Sequence, residues 1–213
     1  MKLNFASCTF THCIKGMSYG AVLFLGLLSV APLSLATVLT ATDSSWKVTA
    51  SAPGASDWNS NAAFDDSGWA PATELATWSS YAAKVIWSAG GQFSTSETQI
   101  WARDIFNLSA LPLSALLNSG FDDDGDIYVN GTLVVSDHNG FANNSFADIT
   151  SNLVIGDNLI AFTAIDNYQV WGYNHGAAVH VDATFAQVPE PMSLALLGLG
   201  LGGMAFVRRR TKA

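Results

Sequence analysis

The chain has 213 residues, and its ends differ so much from its middle that composition is informative only for the middle. Residues 37–187 contain three strong bases against sixteen acids, which leaves a net charge of −13. So acidic a surface repels phosphate backbones, which argues against nucleic-acid binding. Both cysteines, Cys8 and Cys13, precede this segment, so we expect neither a disulfide nor a catalytic thiol in it.

Residues 1–36 have the layout of a secretory signal peptide. Two lysines precede an uncharged apolar run at 20–31, which is shorter than the ~20 residues that a membrane-spanning helix needs. A site of small residues follows and ends at Ala36, which predicts cleavage by signal peptidase after that residue. An uncleaved anchor is the alternative. With cleavage, the mature chain begins at Thr37.

The middle segment consists of short apolar or alternating runs separated by turn residues. This pattern predicts a single all-β domain at 37–187, a sandwich or a barrel. The pair Asn130-Gly131 lies between two β-branched runs and predicts a two-residue hairpin, because both residue types tolerate positive φ. A short helix or turn is predicted at 112–117. The strand-like runs are 46–50, 84–87, 99–108, 126–135, 158–166 and 177–185.

Four aspartates lie within the five residues 122–126. Carboxylates so crowded repel one another unless water or a hard cation neutralises them, so Asp122, Asp124 and Asp126 are candidate ligands of a structural calcium ion. Their spacing does not match an EF-hand loop, in which glycine takes the sixth position. A plain turn before a strand is the alternative interpretation.

The loop at 167–176 combines aromatic, amide and glycine residues between two predicted strands. Aromatic rings can stack on sugars while amides and histidine bond hydroxyl groups. The candidate ligand-binding residues are therefore Trp171, Tyr173, Asn174 and His175. Closure of the end of the domain by the two rings is an equal alternative. We find no nucleophile elbow and no metalloprotease motif, so catalysis is not expected.

The last 26 residues form a separate unit. In order, they are Val188, the motif Pro189-Glu190-Pro191, an uncharged apolar run at 192–207 and a basic end at 208–213. A helix of sixteen residues rises about 24 Å, slightly less than a ~30 Å hydrocarbon core, and it can insert if the arginines reach the interface. The arginines favour the cytoplasmic side, so the tail predicts a single transmembrane helix with the domain outside.

This tail resembles the PEP-CTERM sorting signal of exopolysaccharide-producing Gram-negative bacteria. The resemblance implies that a membrane protease, exosortase, recognises Pro189, Glu190 and Pro191 and processes the chain. It also implies a location in the cell envelope, where the C-terminal helix anchors the protein before processing. After processing, the protein would lie on the outer surface or outside the cell.

Four stretches of the middle segment carry a second resemblance: 64–69, 100–106, 121–131 and 153–162. In this order they resemble the galactose-binding-like jelly roll found in sugar-binding domains of many glycoside hydrolases. The resemblance implies structural roles for Trp69, in the core, and for Arg103, at the start of a strand. No barrel domain follows, so the resemblance does not extend to hydrolase activity. It implies a non-catalytic module for glycan or exopolysaccharide; a structural or adhesive matrix protein is the alternative, and a small glycan hydrolase is third.

Overall fold

The computed structural model describes residues 36–75, 82–89, 98–139, 144–167 and 175–186, together with Gly198. Between residues 36 and 186 the described segments form β-strands and one turn of 3-10 helix, Thr150–Asn152. The strands are β1 (Ala36–Ala41), β2 (Lys47–Thr49), β3 (Ala70–Pro71), β4 (Thr73–Glu74), β5 (Ile86–Trp87), β6 (Gln99–Leu108), β7 (Ser114–Asp122), β8 (Asp124–Val129), β9 (Thr132–Asp137), β10 (Ser145–Asp148), β11 (Gly156–Ile165) and β12 (Gly176–Thr184).

The strands form two six-stranded sheets. Sheet A has the order β10-β7-β12-β5-β4, and β1 pairs with β12 as well. Sheet B has the order β3-β2-β6-β11-β8-β9, and neighbouring strands are antiparallel throughout. The chain crosses from one sheet to the other between β6, β7 and β8, and again between β10, β11 and β12. The predicted all-β jelly-roll sandwich is confirmed.

The core lies between the sheets because alternate residues of each strand are apolar. In β12, Val179 and Val181 face the core, whereas the residue between them faces away from it. Large rings fill the centre: Phe162 lies 5.4 Å from Trp46 and 5.7 Å from Phe121, measured between ring centroids. Burying rings of this size contributes several kcal/mol each, so the domain needs no disulfide to hold it.

The hairpin predicted at Asn130-Gly131 joins β8 to β9. Asn130 has φ 49° and Gly131 has φ 85°, as a two-residue turn of this kind requires. The Asn130 side chain also donates to Asn158 Oδ1 at 2.9 Å and accepts from the backbone N–H of Leu159 at 2.9 Å. The turn is therefore tied to β11 as well as to its own strands.

The helix predicted at 112–117 is wrong, because β7 begins at Ser114. Its alternating residues Ala115 and Leu117 are buried, whereas Leu116 is exposed, which is the period of a strand. Four further strands, β1, β3, β4 and β10, were not predicted from the sequence pattern. Of these, β10 is short and pairs only with β7 among the described strands. The other strand predictions are confirmed to within a few residues.

Arg103 lies in the middle of β6, outside the core, under the loop that carries Asp66. Its side chain is 1% exposed, its Nε is 3.1 Å from Asp66 Oδ2, and its guanidinium carbon is 5.0 Å from the Phe64 ring centroid. Trp69 is not in the main core as predicted; it packs with Trp58 in a smaller cluster on the same side of sheet B. Both residues therefore hold the loop against the sheet.

The predicted segments at the two ends lie almost entirely outside the described residues. Ala36, the predicted cleavage site, is the first residue of β1, and Gly198 is helical. In the part of the chain that the structure describes, no helix has the length and apolar character to cross a membrane. The cleavage site, the transmembrane helix and the domain boundaries stay predictions.

Candidate functional site

Several strand ends meet at one end of the sandwich. Asp122, the last residue of β7, pairs with the first residue of β12, and Asp124, the first residue of β8, pairs with the last residue of β11. This register brings together residues that are distant in sequence. We call the resulting group of side chains the acidic end: Trp87, Asp122, Asp123, Asp166 and His175.

Asp123 and Asp124 hold the chain where it leaves β11. Asp123 is 4% exposed, and its Oδ2 accepts the backbone N–H of Asn167 at 2.8 Å. Asp124 Oδ2 accepts the side-chain amide of the same asparagine at 2.6 Å. A buried carboxylate is stable only when it is hydrogen-bonded or neutralised, so these bonds both satisfy the aspartates and position Asn167.

His175 is a predicted ligand-binding residue, and the structure places it at the acidic end. Its Nδ1 lies 3.2 Å from Asp166 Oδ2, and its ring centroid is 4.6 Å from that of Trp87. The residue is only 3% exposed. The histidine is therefore fixed in orientation by a carboxylate on one side and an indole on the other.

Asp122 has an unusual proton affinity. Burial raises its pKa, the negative charges of Asp123 and Asp166 raise it further, and together with a hydrogen bond to Asp123 they bring it to about 7. Near neutral pH the carboxyl group therefore exists in both protonation states. In the protonated state it can donate a hydrogen bond, and in either state it can accept one.

We expect Asp122→Asn to change the pH dependence of stability. In the folded chain the pKa of Asp122 is about 7, above the usual value of 3.8. The favourable contribution of this carboxyl group to the free energy of unfolding is therefore complete below about pH 4 and is lost as the pH rises through 7. The asparagine variant should exceed the parent in free energy of unfolding at about pH 8, by about 1–2 kcal/mol after allowance for solvent screening. At about pH 4 the two should be nearly equal. Urea denaturation at both pH values measures this.

The control is Asp157→Asn, which changes an exposed aspartate at the other end of β11. This control should leave the slope of stability against pH close to that of the parent. A parallel pH dependence for the parent and Asp122→Asn would contradict the raised pKa.

The three aspartates predicted to bind calcium are not brought together as one ligand set. In β8, Gly125 and Ile127 face the core, so the alternate residues Asp124 and Asp126 project from the outer side of sheet B. Asp122 belongs to β7 of sheet A. Nor do the described residues contain any group of three or more histidine, cysteine or acidic side chains placed to hold a metal ion. Calcium at this turn therefore has no supporting ligand set in the described part of the chain.

His138 takes the position between the two outward aspartates. Its Nδ1 is 3.6 Å from Asp124 Oδ2 and its Nε2 is 3.2 Å from Asp126 Oδ1. Although burial acts in the opposite direction, the hydrogen bond and charge of Asp126 and the charge of Asp124 raise the pKa of His138. When it is protonated, His138 balances part of the negative charge of the aspartates that had been predicted to bind calcium.

Trp171, Tyr173 and Asn174 lie outside the described residues, so their roles stay predictions. The segment that carries them is bounded by Asn167 and His175, both of which the structure places at the acidic end. The predicted binding loop and the acidic end are therefore adjacent through the chain itself.

Sequence reasoning did not find Trp87, Asp123 or Asp166 as part of a site. The sequence placed Trp87 and Asp166 only at the ends of predicted strands, and Asp123 only among the four clustered aspartates at a predicted turn. Their grouping depends on pairing between strands far apart in sequence, for which the local pattern carries no signal.

Residues 187–210 match the model of the PEP-CTERM protein-sorting motif. The chain thus carries this sorting motif, which supports the predicted recognition of the tail. A protein with such a motif is exported and sorted to the cell envelope. A comparison with curated proteins gave no match.

Among solved structures, the chain is similar to parts of three large enzymes. A glycosyl hydrolase family 2 member from Bacteroides cellulosilyticus has 19% identity and a TM-score of 0.47, over 68% of this chain and 20% of that one. A Bacteroides uniformis β-glucuronidase has 18% identity and a TM-score of 0.47, over 70% of this chain and 18% of that one. The exo-chitosanase CsxA of Amycolatopsis orientalis has 18% identity and a TM-score of 0.46, over 68% of this chain and 20% of that one. The chain spans at most a fifth of these enzymes, and similarity this low carries no conclusion about activity.

Proposed function

We propose that this chain is an exported, non-catalytic glycan-binding module of a Gram-negative cell envelope, with its binding site at the acidic end. The observation that carries the proposal is the convergence of Asp122, Asp166 and His175 beside the aromatic-rich segment that begins after Asn167. Polar small-molecule sites combine a few oriented hydrogen-bonding groups with aromatic surface. The sorting motif supports an exported protein of the cell envelope, which is where a glycan-binding module would meet its ligand.

The chemistry of the acidic end favours an uncharged ligand. A carboxyl group with a pKa of about 7 can exchange donor and acceptor roles with a hydroxyl group. A domain with a net charge of −13 repels a polymer rich in carboxylates. Neutral exopolysaccharide or another neutral glycan is the class of ligand that fits.

Exosortase and signal peptidase are the processing partners in this proposal. Signal peptidase would cut after Ala36 and leave Thr37 as the first residue of the mature chain. Exosortase would act at Pro189, Glu190 and Pro191, after the C-terminal helix has held the protein in the membrane. The processed protein would then lie on the outer surface or outside the cell.

A paired substitution separates a binding loop from a structural plug. If Trp171 and Tyr173 form a sugar platform, changing each to alanine should weaken glycan binding at least about tenfold and leave the melting temperature nearly unchanged. If the rings close the end of the sandwich, each change should lower the free energy of unfolding by about 3–5 kcal/mol. Glycan-array binding of the mature chain measures the change in affinity, and its thermal denaturation measures the change in stability.

Trp58→Ala is the matched control for this pair, because Trp58 is buried in the cluster on sheet B, away from the acidic end. It should lower stability and leave glycan binding of the folded fraction intact. A second variant, Asp166→Asn, removes a charge from the acidic end and should weaken binding. Loss of stability in Trp171→Ala and Tyr173→Ala with no binding to any glycan would contradict the proposal.

The second candidate function is a structural or adhesive component of the envelope matrix without a small ligand. The sorting motif favours it equally, because it determines where the protein goes and not what it binds. A biofilm or floc defect on deletion, with no glycan bound by the purified protein, would support it. Turnover of a chromogenic glycoside would instead support a small hydrolase.

A further inference from the structure

The side of sheet A that faces away from the core mixes apolar and hydrogen-bonding side chains. In β7 the buried Leu117 lies between Leu116 and Asn118, which therefore project outward. The same alternation directs His180 and Asp182 of β12 outward. This surface lies on the broad side of the sandwich, whereas the acidic end lies where the strands terminate.

Strand register aligns the outward residues in two adjacent rows across β10, β7, β12 and β1. Neighbours within a row are about 5 Å apart, and the four strands together span about 14 Å. The first row is Phe146, Asn118 and His180, and the second row is Asp148, Leu116, Asp182 and Val38. We call these seven residues the outer-A face.

The apolar members of this face are open to solvent. Phe146 is 71% exposed, Leu116 is 56% exposed and Val38 is 52% exposed. A single exposed apolar residue is ordinary, but Phe146 and Leu116 lie on the adjacent strands β10 and β7 and form a patch. Val38 lies two strands from Leu116, on the other side of Asp182. A phenyl ring in such a patch offers a flat surface for stacking.

Two polar atoms of the first row have no hydrogen-bond partner. They are Asn118 Oδ1 and His180 Nδ1, which belong to residues paired directly across β7 and β12. The His180 side chain is 8% exposed, and its other nitrogen lies 3.0 Å from Asp182 Oδ2. Leaving a buried polar atom unpaired costs free energy, so a group that can both donate and accept is favoured at this position. Asn118 is only partly buried, so rotation of its amide can present the oxygen to a ligand.

We propose that the outer-A face is a second glycan-binding surface, which takes a neutral polysaccharide chain running across the strands. Phe146 stacks on a sugar ring at the edge of the sheet, and Asn118 and Asp182 bond hydroxyl groups along the chain. A sugar presents an apolar ring face and several hydroxyl groups, which is the mixture that the two rows display. The surface is separate from the acidic end, so one molecule can hold two segments of polymer.

A protein partner fits this face less well than a glycan does. Cores of protein interfaces are depleted of charged residues, whereas Asp148 and Asp182 flank Leu116 on both sides in the second row. An anionic polymer is disfavoured by the same two carboxylates and by the net charge of the domain. The arrangement therefore favours a neutral polysaccharide.

Affinity electrophoresis of the mature chain in gels that contain dextran, mixed-linkage β-glucan or galactomannan tests this inference. With the polymer that retards the parent most, Phe146→Ala should weaken binding at least about tenfold. Phe146→Tyr keeps the ring and should retain binding. Ile155→Ala is the matched control, because Ile155 is 66% exposed but lies in the turn before β11, and it should bind like the parent. Alginate, an anionic polymer, should not retard the protein.

Each other outcome overturns the inference. Retardation of Phe146→Ala equal to that of the parent, or no retardation by any of the three neutral polymers, shows that the face does not bind glycan. Loss of binding in Asp166→Asn with unchanged binding in Phe146→Ala assigns all binding to the acidic end. A parent dimer that Phe146→Ala converts to a monomer, without polymer binding, shows that a second copy of the chain covers the face.

Discussion

Gly131→Val should destabilise the domain by about 3 kcal/mol or more. The residue has φ 85°, a region that side chains with a Cβ occupy only with strain. A Cβ at this position would also lie 2.6 Å from Ser60 Cβ and 3.3 Å from Ser60 Cα, so the neighbouring loop would have to move. Urea denaturation of the mature chain measures the loss.

Gly156→Val is the matched control for this prediction. Gly156 has φ 99°, yet no atom lies within 4 Å of its expected Cβ, so only backbone strain is added. We expect it to cost about 1–3 kcal/mol and less than Gly131→Val. In addition, Ser60→Gly should recover part of the loss in Gly131→Ala, because it removes the nearest atom. Equal losses at the two glycines, with no recovery, would show that the loop does not press on the turn.

Replacing Pro189, Glu190 and Pro191 with alanine should abolish processing of the tail. The three residues lie within the matched sorting motif, and the apolar run that follows them is unchanged by the substitution. The variant should still be exported and should accumulate at the mass of the unprocessed form. Mass spectrometry of envelope and medium fractions, in a host that contains exosortase, gives the result.

The control for the sorting variant replaces Thr211 and Lys212 with alanine. Both residues lie beyond the matched segment 187–210, so processing should proceed as in the parent. Equal masses and equal release for the parent and the motif variant would contradict recognition of the proline-glutamate-proline sequence.

The sequence by itself determined the features that depend on neighbouring residues. The alternation of apolar residues predicted β6, β8, β9, β11 and β12, because every second side chain of a strand points to the core. The pair Asn130-Gly131 predicted its turn, since positive φ is a property of those two residue types. The PEP-CTERM tail could be recognised from the sequence for the same reason, because its motif, its apolar run and its basic end follow one another directly in the chain.

Tertiary structure alone decided which distant residues meet. Asp122 and Asp124 are two positions apart in sequence, yet they belong to different sheets, which is why the predicted calcium ligands do not converge. Asp166 and His175 come together because β11 and β12 end and begin at one end of the sandwich. The missed strand β10 places Phe146 beside Asn118 in the same way. Contacts of this kind follow from the register between strands, which core packing selects over the whole domain and which no local pattern encodes.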